Sequence, residues 1–199
     1  MRIFPKAWVR CTHLFVLAGF LVSAPAAGDD DDLAYAEGGV AEIGGFAHFM
    51  VAKDYSSLGI YPTFGWFLWD NVELSAIVGV NRVGQTIEDE DGDSADVSRT
   101  QLLLLAEPSF HVPFSAAVYG FLGVGLGLAH EARTPGPGAG PGFAIAPRLG
   151  LNCVIAGSGV LSPALQASYQ TTDALATQNG GEAAAHSSLG FQAGYTIFW

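Results

Sequence analysis

Three observations predict an all-β fold for this chain, an eight-stranded antiparallel up-and-down transmembrane β-barrel. Half of the 199 residues are apolar and only 14% are charged, yet after residue 30 no apolar run reaches the ~20 residues of a membrane helix. From residue 42 onward, apolar residues recur at every second position, which is the period of a β-strand. The links between these segments tend to be short and long in turn, as in membrane barrels.

Residues 1–27 have the parts of a secretory signal peptide. Arg2, Lys6 and Arg10 form a basic start, residues 14–22 form a short apolar core, and Ala-Pro-Ala at 24–26 is a small-residue cleavage motif. The alternative is an uncleaved anchor helix, but the apolar core is short and small residues follow it at once. We therefore expect the mature chain to begin near residue 28.

Residues 28–41, GDDDDLAYAEGGVA, form an acidic lead-in that we expect to be a solvated tail. Loss of the signal leaves five basic and nineteen acidic residues, a net charge of −14. Such a surface disfavours nucleic acid as a partner. Cys153 is then the single cysteine, so the sequence has neither a disulfide framework nor the spacing of a zinc site.

Residues 42–199 form the predicted barrel domain, and its last segment shows the alternation most clearly. The apolar positions of that segment are Leu189, Phe191, Ala193, Tyr195, Ile197 and Trp199. Four further segments alternate in the same way, 72–80, 118–128, 143–155 and 161–171, and three fit less regularly but still have an apolar face, 42–53, 58–68 and 101–112. Each is long enough for the ~9–11 residues of a membrane-spanning strand.

The links between strands differ in length in a regular way. Those after the second, fourth and sixth strands are short: Trp69-Asp70-Asn71, VPFSA and AGSGV. Those after the third, fifth and seventh are long and polar or rich in Gly and Pro: TIEDEDGDSADVS, HEARTPGPGAGPG and TTDALATQNGGEA. Short turns on one rim and long loops on the other are typical of a transmembrane barrel, and an even strand number places both chain ends at the short-turn rim.

Either face of these strands could point outward. A secreted ligand-binding barrel would turn its apolar face inward and present charge to water. The other face here is too small and too uncharged for a good aqueous surface, whereas its Gly, Ala and Ser residues suit the narrow lumen of eight strands. The sequence therefore favours an apolar wall in contact with lipid, and lipid requires the sheet to close.

Two stretches of the barrel domain are distinctive. PTFGWFLWDNVELSAIVG combines a proline-led strand, an Asp-Asn turn and an alternating return strand, and QAGYTIFW ends the chain. Over residues 42–199 the sequence resembles the small outer-membrane β-barrel proteins of the OmpA/OmpX-like class. The resemblance implies that Gln192, Gly194, Ile197 and Trp199 form an assembly signal for the barrel-assembly machinery, with Trp in place of the more usual final Phe. It also implies a location in the bacterial outer membrane, with lipid and lipopolysaccharide as partners.

Three charged residues fall on the predicted lumen face: Glu73, Glu107 and Arg148. A charge inside a narrow barrel needs a partner. We expect Arg148 to pair with one or both glutamates and to block the lumen. The alternative is a gated or leaky pore.

The link after the third strand holds six carboxylates, which are Glu88, Asp89, Glu90, Asp91, Asp93 and Asp96. Clustered carboxylates suit hard divalent cations, but the spacing differs from that of a calcium-binding loop. We expect a solvated acidic loop at 88–96 that gathers divalent cations weakly.

His186 and Ser188 invite comparison with the His-x-Ser pair of lipid A deacylases, which are also eight-stranded barrels. The residues that follow do not match that motif, and no acidic residue follows to orient the histidine. Gly123, Gly125 and Gly127 do not match a phosphate-binding loop and suit a crowded lumen. We therefore expect neither catalytic residues nor a cofactor or metal site.

Aromatic residues cluster near the predicted short-turn rim, where their rings suit the lipid headgroup zone. They are Tyr61, Trp66, Phe67, Trp69, Tyr195, Phe198 and Trp199, of which Phe198 has the parity to point inward and close the mouth. We expect a non-enzymatic outer-membrane protein with a role in envelope integrity, adhesion or limited porin-like passage of small solutes. The alternatives are a lipid-modifying barrel enzyme and a secreted ligand-binding barrel.

Overall fold

The computed structural model describes residues 34–52, 55–88, 94–134, 139–155, 157–172 and 184–199. Eight strands form a closed antiparallel barrel in which each strand pairs with the next and the last pairs with the first. They are β1 Ala41–Ala52, β2 Tyr55–Trp69, β3 Val72–Glu88, β4 Ser94–Ser115, β5 Val118–Thr134, β6 Ala139–Ile155, β7 Gly159–Thr172 and β8 Ala184–Phe198. Among the described residues no helix has the length and hydropathy to cross a membrane.

The predicted all-β barrel of eight strands is confirmed, and alternation along the strands separates its two walls. Leu104 on β4 is 56% exposed on the outer wall, whereas its neighbours Leu103 and Leu105 are each 4% exposed in the lumen. Successive strand side chains point to opposite faces, so one residue of displacement moves a leucine from one wall to the other. The outer wall is almost wholly apolar along its length.

Several strands are longer than predicted. The segment 86–98 was expected to be a loop, but Thr86 pairs with Asp96 and Glu88 with Ser94, so β3 and β4 continue through most of it. The predicted loop 130–142 is likewise shortened by the ends of β5 and β6. Where both faces of a hairpin are exposed to water, neither face needs to be apolar, so the alternation of hydropathy is lost. The backbone pairing between the strands continues all the same.

The lead-in also differs from the expected solvated tail. Residues 34–40 turn into the short-turn mouth, where Tyr35 and Val40 are buried. Backbone bonds hold them there: Gly39 N donates to the Phe67 carbonyl at 2.8 Å, and Asn71 N donates to the Ala36 carbonyl at 2.7 Å. Asn71 has φ of 65°, a left-handed conformation that Asn tolerates well. The predicted signal peptide and residues 28–33 lie outside the described residues.

Two buried apolar clusters fill the lumen. The mouth cluster at the short-turn rim consists of Tyr35, Ala36, Val40, Phe67, Tyr119, Val160 and Phe198. The middle cluster consists of Phe46, Tyr61, Ile77, Leu103, Leu105, Ala129, Ala144 and Ala146. Along β3 and β4, the polar residues Glu73, Ser75, Glu107 and Ser109 lie between the two clusters.

The predicted aromatic rim is therefore partly wrong. Trp66, Trp69 and Trp199 are exposed on the outside, but Tyr61 and Phe67 belong to the lumen clusters. The direction of an aromatic side chain depends on its position in the alternation of the strand. Hydropathy alone does not distinguish a Phe or Tyr that faces lipid from one that faces a packed lumen. Phe198 does point into the mouth, as its parity predicted.

Candidate functional site

The polar layer between the two clusters is the candidate site, and strand parity assembles it. Antiparallel pairing places Glu73 directly opposite Ser109, and Gly123 opposite Arg148. Glu73, Glu107 and Arg148 all point into the lumen, and both carboxylates are almost inaccessible to solvent. Charges buried this deeply need close partners.

Arg148 forms its ion pair with Glu107, through Nη2 and Oε1. The guanidinium also lies 4.9 Å from the ring centroid of Phe46 and 5.1 Å from that of Phe121, a cation–π arrangement on two sides. A Cβ on Gly123 would stand 2.8 Å from Oε1 of Glu107, so glycine at this position gives the carboxylate its space. The ion pair thus joins β4 to β6 across the intervening β5, and the guanidinium reaches Phe46 on β1.

Glu73 has a different set of partners. Its Oε2 accepts a hydrogen bond from Ser109 Oγ at 3.1 Å and lies 2.9 Å from Nε2 of His111, while Ser75 Oγ donates to its Oε1. Among the described contacts, Glu73 pairs with His111 and not with Arg148. His111 was not predicted as a partner of Glu73, although both residues share the lumen parity and lie close to the short-turn rim on neighbouring strands.

Tyr35 joins the lead-in to this layer. Asn152 Nδ2 donates to the Tyr35 hydroxyl at 2.7 Å and lies 3.3 Å from Nδ1 of His111. Burial raises the pKa of Tyr35 well above its usual value of ~10, and the nearby Glu42 and Glu73 raise it further. The hydroxyl is therefore neutral at physiological pH. Its ring also makes edge contacts with Phe67, Tyr119 and Phe198.

Glu42 is a third buried carboxyl of this layer, and it was not predicted as a site residue. A Cβ on Gly65 would stand 2.8 Å from Cγ of Glu42 and would overlap Oε1 of Glu73. Both glutamates therefore lie over Gly65, whose missing side chain makes room for them. The position of Glu42 in the alternation of β1 could have predicted that it faces the lumen. Glu42 was, however, the first residue of the predicted barrel, where the alternation had only just begun.

A second polar network lies nearer the long-loop rim. His48 Nε2 is 3.0 Å from Ser57 Oγ, which donates to Asn81 Oδ1 at 3.2 Å. The contacts continue from Asn81 through Gln101 to Glu131. Oε1 of Glu131 forms an ion pair of 3.5 Å with Nε of Arg99. The members in order of contact are His48, Ser57, Asn81, Gln101, Glu131 and Arg99.

The described residues do not assemble a catalytic relay. Ser109 and Glu73 both contact Nε2 of His111, whereas a relay needs the nucleophile and the orienting acid on opposite ring nitrogens. Ser188 Oγ forms a 2.7 Å hydrogen bond with Ser168 Oγ, and the side chain of His186 lies outside the described residues. Within the described part of the chain, no group of three or more His, Cys, Asp and Glu residues could hold a metal ion.

The acidic segment 88–96 is described only in part. Of its six carboxylates only that of Asp96 is described, and it accepts a hydrogen bond from Thr86 Oγ1 at 2.8 Å. The carboxylates of residues 88, 89, 90, 91 and 93 lie outside the described side chains. Weak binding of divalent cations there stays a prediction.

The predicted assembly signal forms the end of β8. Gln192 and Gly194 face the lumen, while Ile197 and Trp199 lie on the outer wall. The backbone of Trp199 exchanges two hydrogen bonds of 3.0 Å with Ala41, which ties the two ends of the barrel together. Whether this stretch is recognised during assembly stays a prediction.

Several solved structures are similar to this barrel. Neisserial surface protein A superposes with a TM-score of 0.51 at 11% identity, covering 79% of this chain and 94% of that one. The outer membrane protein OprG from Pseudomonas aeruginosa also gives 0.51, at 10% identity, covering 85% of this chain and 99% of that one. No family model and no curated protein sequence matches the chain. The chain therefore has the fold of the small eight-stranded outer-membrane barrels, the class that its sequence resembles.

Proposed function

We propose that this protein is an integral protein of the Gram-negative outer membrane, and that it is a non-conducting and non-enzymatic barrel. In this proposal the short-turn rim faces the periplasm and the long loops face the outside. The barrel serves as a membrane anchor that supports the envelope and presents those loops for adhesion.

The filled lumen is the observation on which the proposal rests. Phe67 and Val160 have no accessible surface, and Tyr35 and Phe198 complete the mouth cluster beside them. Above the mouth, the ion pair of Arg148 and Glu107 crosses the polar layer. A conducting pore requires a continuous polar path, and these layers interrupt it.

The outer wall supports the membrane location. Its apolar residues end in Trp66, Trp69 and Trp199 at the short-turn rim, where indole rings suit the headgroup zone. A groove of about 230 Å³ lies on this wall, with Trp66, Ala76 and Ala106 among its mostly apolar lining, which suits a lipid acyl chain. Outer-membrane lipid, lipopolysaccharide and the barrel-assembly machinery are the partners that we propose.

Limited passage of small solutes is the second candidate function. It is favoured by the polar network from His48 to Arg99, which combines half-buried and buried groups and would be a suitable lining for the outer part of a path. Passage would still require movement of the mouth cluster and of the ion pair. We rank it below the closed barrel for that reason.

Single-channel recording tests the choice. Full-length mature protein, refolded and reconstituted into planar bilayers, is expected to show no steady conductance under a range of voltages. A large and steady conductance would overturn the closed barrel and favour solute passage. A variant that lacks residues 28–40 is the matched comparison, because it removes Tyr35 and should admit brief openings if the mouth cluster is the barrier.

Lipid A analysis tests the absence of enzyme activity. Mass spectra of lipid A from cells that overexpress the protein are expected to match those of cells with an empty vector. New acylated or deacylated species that vanish in a Ser188→Ala variant would refute the non-enzymatic assignment. Fractionation of the same cells would place the protein in the outer membrane, and recovery in the soluble periplasm would contradict the proposal.

A further inference from the structure

Unpartnered polar atoms converge on one place in the lumen. Five side-chain polar atoms of the described residues are buried without a protein hydrogen-bond partner, and three belong to residues that line a single cavity. These are Oε2 of Glu42 on β1, Nε of Arg148 on β6 and Oγ1 of Thr196 on β8. Buried polar groups in proteins nearly always have a partner, so three from separate strands around one space indicate a shared ligand.

The cavity has the size of one small molecule. Its volume is about 20 Å³, and a single water needs ~10–15 Å³. Glu42 and Thr196 are each 7% exposed, so they are more than nine-tenths buried. The cavity thus excludes sugars, amino acids and lipid headgroups by size alone.

The chemistry of the lining selects among the particles that fit. A cation would meet the guanidinium of Arg148, and an anion would meet the carboxyls of Glu42 and Glu73. An apolar particle would leave all three polar atoms unpaired. A water molecule can accept from Arg148 Nε, donate to Glu42 Oε2 and take Thr196 Oγ1 as a third partner, which matches the usual three bonds of a buried water.

We propose that this cavity binds one structural water that joins β1, β6 and β8 through Glu42, Arg148 and Thr196. The location gives the water a role. The ladder between β1 and β8 closes the barrel and is the shortest among the described strands, extending from Glu42 opposite Phe198 to Ala47 opposite Ala193. The water ties both strands of this seam to β6, which is separated from β8 by β7.

Replacement of Thr196 by Val tests for the water, because the direction in which the urea midpoint changes depends on whether the water is bound. Valine keeps the shape of threonine and removes the hydroxyl. If a water bonds to that hydroxyl, Thr196→Val loses a hydrogen bond and lowers the urea midpoint of the refolded protein. If no water is bound, the variant removes a buried unpaired group, and the midpoint stays equal or rises.

Thr63 provides the matched control. It lines the same cavity, but its Oγ1 already donates to the Tyr61 carbonyl at 3.2 Å. Thr63→Val should therefore lower the midpoint whether or not a water is present, and it calibrates the loss of one satisfied hydroxyl. A lowered midpoint for Thr63→Val together with an unchanged or raised one for Thr196→Val would overturn the proposal.

A crystal structure of the unmodified protein gives an independent test that does not depend on the stability of a variant. At a resolution near 1.8 Å, we expect one ordered water within hydrogen-bond distance of Glu42 Oε2, Arg148 Nε and Thr196 Oγ1. Direct pairing of these three atoms with protein groups, or density for a cation or anion, would refute the water. The same structure in the Thr196→Val variant should show the water displaced or weakened.

Discussion

The two halves of the lumen differ in how completely their side chains are packed. At the short-turn end, Phe67, His111 and Glu107 are at most 1% exposed and each has specific partners. At the long-loop end, His48 is only half-buried, and a Cβ on Gly190 would meet nothing within 4 Å. The barrel is therefore closed at the short-turn end, whereas the long-loop end combines an ion pair at the buried Glu131 with open space beside Gly190.

The position of the chain ends accounts for this difference. Both ends meet at the short-turn rim, where residues 34–40 enter the mouth and Trp199 pairs with Ala41. The lead-in adds Tyr35 to a space that the eight strands alone would leave open. No equivalent segment among the described residues enters the other end, where Glu131 is buried but His48 is only half-buried.

Replacement of Arg148 by Met should give the largest effect. It leaves Glu107 buried without its ion-pair partner, which we expect to lower the free energy of unfolding by ~3–5 kcal/mol. Arg99→Met is the matched change in the outer half. Arg99 is 34% exposed, and its buried partner Glu131 also accepts a hydrogen bond from Gln101, so we expect a smaller cost of ~1–2 kcal/mol.

Urea unfolding of the refolded variants measures this difference. The double variant Arg148→Met with Glu107→Gln should recover part of the loss, because it removes the unpaired buried charge. Equal losses for Arg148→Met and Arg99→Met would show that the two halves contribute alike and would break the comparison.

Substitution of one glycine in each half of the lumen tests the difference in packing, because it adds volume and leaves the charges unchanged. Gly65→Ala places a Cβ against Oε1 of Glu73 and Cγ of Glu42, and we expect a loss of ~1–3 kcal/mol as the carboxyls are displaced. Gly190→Ala adds the same atom where nothing lies within 4 Å, and we expect a change within ~0.5 kcal/mol. Denaturant titration of both variants decides it, and a Gly190→Ala loss as large as that of Gly65→Ala would contradict the open outer half.

The sequence predicted the outer wall better than the lumen, and the reason is physical. Lipid imposes one requirement on every outward position, so the alternation from Leu102 to Phe110 or from Leu189 to Trp199 is visible without any knowledge of neighbours. The parity of Glu73, Glu107 and Arg148 followed from that wall. Their partners did not, because the choice between His111 and Arg148 depends on the stagger of strands around the barrel, which alternation does not encode.

The lead-in shows the second limit of sequence patterns. Residues 28–41 are acidic and rich in Gly, a composition typical of solvated tails. Tyr35 anchors the segment by its contacts with Asn152 and the mouth cluster, together with the buried Val40 and the backbone hydrogen bonds of residues 34–40. The sequence near Tyr35 does not show that strands distant in the chain leave a space for its ring at the mouth of the barrel. Predictions of tails from composition therefore fail where a lumen can accept one side chain.

The smallest effect on stability is expected at the last residue. Trp199 is exposed on the outer wall at the rim, and a charge near a membrane interface costs ~1 kcal/mol or less, so Trp199→Asp should scarcely change the unfolding of the refolded barrel. In cells the same change should lower the amount of assembled protein strongly, because it alters the proposed assembly signal. Trp69→Asp is the control, since Trp69 is also exposed at this rim but lies outside the tail. Outer-membrane levels measured by fractionation should fall for the first variant alone, and normal levels for Trp199→Asp would show that the closing seam, rather than recognition of the tail, explains the apolar end of the chain.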